Sequence, residues 1–144
     1  MVESSSLQRY SLFGGLLSED IDRIRPLIGS RSYAAGEVLI TQNKPNDSIF
    51  FILEGKVEVS KDGVVLIVLG EGETVGEMEL LDIMPAAATV CALVPVTVGM
   101  ITNRAVHEIF KADQKSFAIM MMNLARDLSR RLRRMNEIAA PCPC

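Results

Sequence analysis

Two short stretches of the 144-residue chain combine residue types that could hold a small anion. The first reads Val75-Gly76-Glu77-Met78, in which a glycine opens a short helix-forming segment. A helix start presents free backbone N–H groups that favour an anion, and glycine allows a ligand to approach the backbone closely. The carboxylate of Glu77 could accept hydrogen bonds from a sugar hydroxyl.

The second stretch, residues 85–90, reads Pro-Ala-Ala-Ala-Thr-Val and supplies small side chains, backbone donors and one hydroxyl. Together the two stretches predict a shallow pocket for a sugar phosphate. Its predicted ligand-binding residues are Gly76, Glu77, Met78, Ala86, Ala87, Ala88 and Thr89.

Other chemistry has little support in the residue inventory. The chain has one histidine, His107, and three cysteines, Cys91, Cys142 and Cys144. A metal-binding cupin needs several His, Glu or Asp ligands on facing strands, and a hydrolytic triad needs a histidine beside a nucleophile. The sequence therefore predicts no metal site, no catalytic residues and no cofactor beyond a small anionic ligand.

Composition limits the class of protein. About half of the residues are apolar (49%), 23% are charged and the net charge is -3, which predicts one folded domain and gives no sign of nucleic-acid binding. The N-terminus lacks the pattern of a secretory signal, and no apolar run has the length of a membrane span. An odd cysteine count is a poor disulfide framework, so we expect a cytoplasmic protein.

Hydrophobic periodicity divides the chain into three regions that would position the pocket. Residues 7–29 are predicted helical, with Ser18 as N-cap and Gly29 as the stop. Residues 31–102 alternate short apolar runs with turn residues, as in a sandwich or barrel, and Asp62-Gly63 predicts a hairpin. Residues 104–139 are predicted helical, and residues 141–144 form a flexible tail beyond a domain spanning 1–140.

The last helical region carries an apolar stripe with 3-4-4-3 spacing, made of Met121, Leu124, Leu128, Leu132 and Met135. A helix with such a stripe must bury it. The stripe predicts a homodimer through this helix, with arginines on its other faces.

The segment from Val75 to Val90 resembles the phosphate-binding cassette of cyclic-nucleotide-binding domains, the sensor type found in catabolite activator protein and in protein kinase A regulatory subunits. The family pattern is Phe-Gly-Glu-Leu-Ala-Leu-Leu, a spacer, then Pro-Arg-Ala-Ala-Thr-Val. Residues 35–39, 42–55 and 69–73 also resemble family landmarks, in the same order. The resemblance implies an antiparallel β-roll (a double-stranded β-helix, jelly-roll-like), mainly β, with N-terminal helices and a long C-terminal helix.

Three departures from the family pattern concern the ligand. Ala86 stands where the family has its phosphate-binding arginine, Glu79 stands where it has a small alanine, and Val75 replaces an aromatic. A guanidinium holds phosphate through a planar, often bidentate fork, so its loss weakens cyclic-nucleotide binding by about two to four orders of magnitude. Asn43 and Asn46 replace turn glycines, and asparagine tolerates a positive φ.

Three hypotheses remain open at this point. The chain is a regulatory sensor with weak or lost cyclic AMP or cyclic GMP binding, a degenerate dimerisation or protein-interaction module, or a cupin-like metalloenzyme. Few residues follow the long helix, so we expect a stand-alone module that acts on a regulatory protein partner or through its own dimer, with no DNA-binding domain in this chain. From the lack of a long apolar run, we expect no membrane association.

Overall fold

Eight antiparallel strands form two four-stranded sheets in the computed structural model, which describes residues 7–138. One sheet has the order β1-β8-β3-β6 and the other β2-β7-β4-β5. This arrangement confirms the predicted β-roll. The strand bounds are β1 Gly29–Tyr33, β2 Val38–Ile40, β3 Ser48–Glu54, β4 Val57–Lys61, β5 Val64–Leu69, β6 Thr74–Val75, β7 Thr89–Ala92 and β8 Val96–Thr102.

Among residues 7–138, the α-helices with complete bounds are α1 Ser18–Ile24, α2 Glu77–Asp82, α3 Asn103–Ala112 and α4 Gln114–Ile138. Two 3₁₀ turns, Ser11–Phe13 and Arg25–Leu27, lie on either side of α1. None of the helices in the described part of the chain has both the length and the apolar character needed to cross a membrane. The predicted tail at 141–144, with Cys142 and Cys144, lies outside the described residues.

Strand β3 separates two apolar cores because successive side chains of a strand point to opposite faces. Ile49 and Phe51 pack with the helices, whereas Phe50 and Ile52 pack inside the roll. All four are buried, which explains why β3 is a continuous apolar run rather than an alternating one. The roll and the helices are thus held together through one strand.

The turns follow the predicted chemistry with one exception. Asp62 and Gly63 have φ values of 51° and 80° and join β4 to β5, which confirms the hairpin. Asn43 has a φ of 66°, as expected for a glycine replacement. Asn46 is absent from the positive-φ residues, so that expectation was wrong. Its side chain instead brackets Ser48, donating to the carbonyl oxygen at 2.8 Å and accepting from the backbone N–H at 3.3 Å.

The N-terminal region contains less helix than the periodicity predicted. Within residues 7–29, α1 is the α-helix with complete bounds, and Leu7 is also helical. Gly15, with a φ of 85°, lies in the non-helical chain before α1. Ser18 is the first helical residue rather than the N-cap; Leu17 is the N-cap, and Asp20 accepts a hydrogen bond from its backbone N–H at 3.0 Å. Gly29 begins β1 instead of ending a helix, because the chain there pairs with β8.

The C-terminal region is helical as predicted but is divided at Asp113. The Asp113 carboxylate accepts hydrogen bonds from the Ser116 backbone N–H at 3.1 Å and from the Ser116 hydroxyl at 2.6 Å. This contact is a helix-capping arrangement that starts α4 as a separate element. The apolar stripe of α4 does not lie on one free face: Leu124 is buried against the N-terminal segment, whereas Leu132 is 60% exposed.

The crossing of β8 over the Phe51 ring requires a glycine at position 99. A Cβ atom at Gly99 would overlap the ring of Phe51, which is fully buried. We expect Gly99→Ala to lower the free energy of unfolding by about 1–3 kcal/mol, because overpacking displaces a core side chain. Chemical denaturation measures the change. Gly29→Ala is the matched control, since a Cβ there has its nearest neighbour at 3.6 Å. An equal effect of both substitutions would contradict the overlap.

Candidate functional site

Helix α2 begins at the glycine that the sequence placed at the ligand site. Gly76 is the N-cap, with a φ of 86°, and follows β6, which pairs with β3. A Cβ atom there would collide with the carbonyl oxygen of Ser48 and lie 2.7 Å from the Asn46 Nδ2. The left-handed backbone and this close approach both demand glycine. The start of α2 is therefore held against β3 by backbone geometry.

A small cavity of about 70 Å³ lies beside the start of α2. It brings together five of the predicted ligand-binding residues: Gly76, Glu77, Met78, Ala87 and Ala88. Its other lining residues include Glu79 and, from α4, Arg131. Among the residues that the structure describes, Arg131 is the cation that lines this cavity.

Two predicted ligand-binding residues do not line the cavity. Ala86 is 1% exposed and packs in the apolar interior of the roll, with its backbone N–H donating to the Lys44 carbonyl at 2.9 Å. The Thr89 hydroxyl accepts a hydrogen bond from the backbone N–H of Gln42 at 3.0 Å. Their role in ligand binding stays a prediction, and in this conformation Thr89 serves the β2–β7 contact.

A buried ion pair joins the cavity to the long helix. The Arg131 Nη1 donates to the Glu77 Oε1 at 3.0 Å, and its Nη2 donates to the Thr74 carbonyl at 2.7 Å. Glu77 is 2% exposed, and its Oε2 has no hydrogen-bond partner among the described residues. Burial raises the pKa of the Glu77 carboxyl above its usual range, and the Arg131 guanidinium offsets part of that rise. One carboxylate oxygen thus remains available as a buried acceptor.

The second acid of α2 occupies the position of the family's small residue. Glu79 is 9% exposed, and its Oε1 accepts a hydrogen bond from the Asn46 Nδ2 at 3.3 Å. Burial raises the pKa of the Glu79 carboxyl, and the hydrogen bond from Asn46 lowers it in part. With Glu77 and Glu79 both in the first turn of α2, the positive end of that short helix already faces two carboxylates.

The site therefore offers a buried carboxylate oxygen that can accept a hydrogen bond from a ligand hydroxyl. The charged residues that line it give it little capacity to hold a negatively charged ligand. A sugar hydroxyl fits the free Oε2 of Glu77. A phosphate would meet Glu79 and an arginine that is already paired with Glu77. No group of three or more potential metal ligands occurs in residues 7–138, and His107 is exposed on α3, stacked on Phe110 with the ring centroids 6.5 Å apart.

Sequence reasoning did not assign Arg131 or Asn46 to the site. Arg131 is one of several arginines in α4, and nothing in its spacing distinguishes it from Arg130 or Arg133. Only the packing of α4 against β6 and the start of α2 shows which guanidinium faces inward. Asn46 was interpreted as a turn residue, although its side chain connects β3 to α2.

Comparison with known proteins agrees with this geometry. The sequence model of the cyclic nucleotide-binding domain matches residues 30–113. The chain belongs to this family. Its relatives include Glutaminase 2 of Bradyrhizobium diazoefficiens, which is 33% identical over 131 residues covering 90% of this chain and 21% of that protein. The cAMP-dependent protein kinase regulatory subunit of Yarrowia lipolytica is 34% identical over 90 residues, covering 62% of this chain and 24% of the relative.

A solved structure confirms the fold. The cyclic nucleotide-binding domain from Methylobacillus flagellatus aligns with a TM-score of 0.84 and 22% identity, covering 94% of this chain and 79% of that one. The present chain spans about a quarter or less of the length of the two curated relatives, 24% and 21%. What it shares with them is the sensor domain.

The buried pair predicts a pH-dependent loss of stability in Arg131→Gln. Without the guanidinium, the ionised Glu77 carboxylate is buried and unpaired, which costs about 3 kcal/mol of unfolding free energy at pH 7.5. The pKa of Glu77 rises further above its unfolded value, so the folded form is favoured below the unfolded pKa and loses stability as pH rises through the folded pKa. Urea denaturation from pH 4.5 to 8 should therefore show a deficit that grows with pH.

Two further variants separate this pair from general effects on α4. Glu77→Gln combined with Arg131→Gln removes both charges, and we expect it to recover most of the stability at pH 7.5. Arg133→Gln, at an exposed position of the same helix, should change stability by less than about 0.5 kcal/mol. A deficit in Arg131→Gln that is independent of pH would contradict the role of Glu77.

Proposed function

We propose that this chain is a regulatory small-ligand sensor domain in which binding of cyclic AMP or cyclic GMP is weak or lost. The observation that carries the proposal is the charge of the cavity beside α2. Its one lining cation within the described residues, Arg131, is paired with Glu77, while Glu79 adds a carboxylate to the same wall. Ala86 supplies no guanidinium to compensate.

The size of the cavity supports the same proposal. Its volume of about 70 Å³ lies well below the roughly 300–1,000 Å³ typical of small-molecule sites. A cyclic nucleotide would have to open the space between α2 and α4, and opening breaks or rearranges the contact between Glu77 and Arg131. Because only open molecules can bind, the apparent affinity equals the affinity of the open form multiplied by the fraction of molecules that are open without ligand.

The output of the sensor is proposed to pass through α4. The Arg131 side chain ties this helix to the cavity, so a ligand that uses the free oxygen of Glu77 would act on the same guanidinium. The relatives in which the domain is a fraction of the length suggest that the regulated activity lies in a partner or in other parts of a longer protein. We infer no catalytic role for the domain itself and no resident cofactor.

A cytoplasmic location is part of the proposal. Cys91, which lies in β7, is a free thiol, as expected in a reducing compartment.

A second candidate function, a dimerisation module, is favoured by the exposed part of α4. Met122 and Leu132 are 56% and 60% exposed, so a dimer through this helix would bury apolar surface that is solvated in the protomer. Leu124 is buried within the protomer, so the dimer we propose would use Leu132 with neighbouring exposed residues. A sensor and a dimer are compatible, because a dimer through α4 would transmit any movement of this helix.

The cyclic nucleotide proposal predicts a gain of binding when the missing charge is supplied. The unmodified chain should show weak or undetectable cyclic AMP and cyclic GMP binding in calorimetric titration. Ala86→Arg should restore part of the affinity for cyclic AMP. The same change combined with Glu79→Ala should restore more, because Glu79 would otherwise pair with the new guanidinium.

The Ala86→Arg protein should be less stable without ligand, since a buried guanidinium in the apolar roll lacks a counter-charge. Cyclic AMP should then raise its melting temperature through preferential binding to the folded state. Ala112→Arg, at an exposed position outside the cavity, controls for the added charge. Tight binding by the unmodified chain would defeat the loss of affinity, and no gain in the double variant would favour the interaction module.

The dimer proposal predicts that Leu132→Glu yields a monomer. Burying a carboxylate in an apolar interface is costly, whereas at a solvent-exposed position it is tolerated. Light scattering at micromolar concentration should give the dimer mass for the unmodified chain and the monomer mass for the variant. Val64→Glu, at a residue of β5 that is 64% exposed, is the matched control and should leave the dimer intact. A monomeric unmodified chain would refute the proposal.

A further inference from the structure

A second and larger cavity also has Arg131 among its lining residues. Its volume is about 520 Å³, within the range of small-molecule sites. We call it the arginine groove. It is lined by residues 9–11, by residues 71–73 and by four residues of α4, namely Asp127, Arg130, Arg131 and Arg134. The two cavities share Arg131 and no other lining residue.

The arginine groove is locally positive in a chain of net charge -3. It is lined by four arginines and three acids, the acids being Glu71, Glu73 and Asp127. Arg130 and Arg134 are one helical turn apart on α4, which puts their side chains on the same face. Arg9 belongs to the N-terminal wall of the groove. Guanidinium groups from two separate segments thus converge on one space.

The ion pairs in the groove leave most of the donor capacity unused. The Nη1 of Arg130 donates to Asp127 at 3.1 Å, and the Nη2 of Arg134 donates to Glu73 at 2.8 Å. A guanidinium has five N–H donors, so several on each arginine are free to face a ligand. The Arg130 and Arg134 side chains are 69% and 48% exposed, and ion pairs so exposed contribute only about 0–1 kcal/mol.

We propose that the arginine groove binds a small phosphate ester with free hydroxyl groups. The phosphate oxygens bind Arg130 and Arg134, with Arg9 closing the site from the N-terminal segment. Several guanidinium forks match the several oxygens of a phosphate better than the two of a carboxylate. Each oxygen of the Asp127 and Glu73 carboxylates already accepts one hydrogen bond within the protein, and its second lone pair accepts one from a hydroxyl of the ester. These bonds compensate for the repulsion between the carboxylates and the phosphate.

Such a ligand would connect α4 to the roll. It would join the helix to residues 71–73 and to the N-terminal segment, and the helix contributes Arg131 to the other cavity. Ligand binding at the groove would therefore stabilise the position of α4 seen here even with no nucleotide in the site beside α2.

Calorimetric titration of the full chain at low ionic strength tests the proposal, with ribose 5-phosphate, inorganic phosphate and ribose as probes. We expect saturable one-to-one binding of ribose 5-phosphate, at least about tenfold weaker binding of phosphate, and none of ribose. Arg130→Gln and Arg134→Gln should each weaken ribose 5-phosphate binding about tenfold or more. Circular dichroism confirms that these exposed substitutions leave the fold intact.

The matched controls are Arg126→Gln and Arg133→Gln, which remove the same charge from exposed positions of α4 outside the groove. They should change the affinity by less than about twofold. Equal losses in both pairs of variants would show non-specific attraction and overturn the site. Phosphate binding as tightly as the ester would overturn the role of the carboxylates, and the absence of saturable binding would overturn the proposal.

Discussion

The contact between Glu77 and Arg131 connects the cavity beside α2 to the long helix α4. It places a carboxylate from α2 and a guanidinium from α4 in a setting where neither is well solvated. Because an unpaired charge there is costly, α4 must stay on the roll while Glu77 is ionised. A third group, the Thr74 carbonyl, holds the other end of the guanidinium and ties it to β6. The position of the longest helix is thus linked to the state of one buried carboxyl group.

Helix α2 depends on its tertiary contacts for stability. It has six residues and is capped at both ends by residues in the left-handed region, Gly76 before it and Ile83, whose φ is 57°, after it. A β-branched residue in that region is strained, and Ile83 is also 88% exposed, so no packing compensates for the strain. A short helix with strain at its end and two partly desolvated acids in its first turn is held by tertiary contacts rather than by its own propensity.

The two cavities place opposite demands on their ligands. The site beside α2 offers an acceptor oxygen on Glu77 and an added acid, so its retained chemistry suits hydroxyl groups more than phosphate. The arginine groove offers donors and a local positive charge, and α4 supplies four of its lining residues. The two cavities are adjacent because both are lined by Arg131, and they share no other lining residue.

The β-roll was implied by the resemblance to the cyclic-nucleotide-binding family and not by local pattern. From local pattern and backbone preference, the sequence indicated the β-rich region, the hairpin at Asp62-Gly63, the long C-terminal helix and the glycine before α2. It did not determine the break at Asp113, the irregular chain around Gly15, or the interior position of Ala86. Those features depend on the tertiary structure, and so does the fact that Arg131, among the arginines of α4, contacts Glu77. Their physical reason is that burial and pairing depend on residues distant in sequence, such as the 54 positions that separate Glu77 from Arg131.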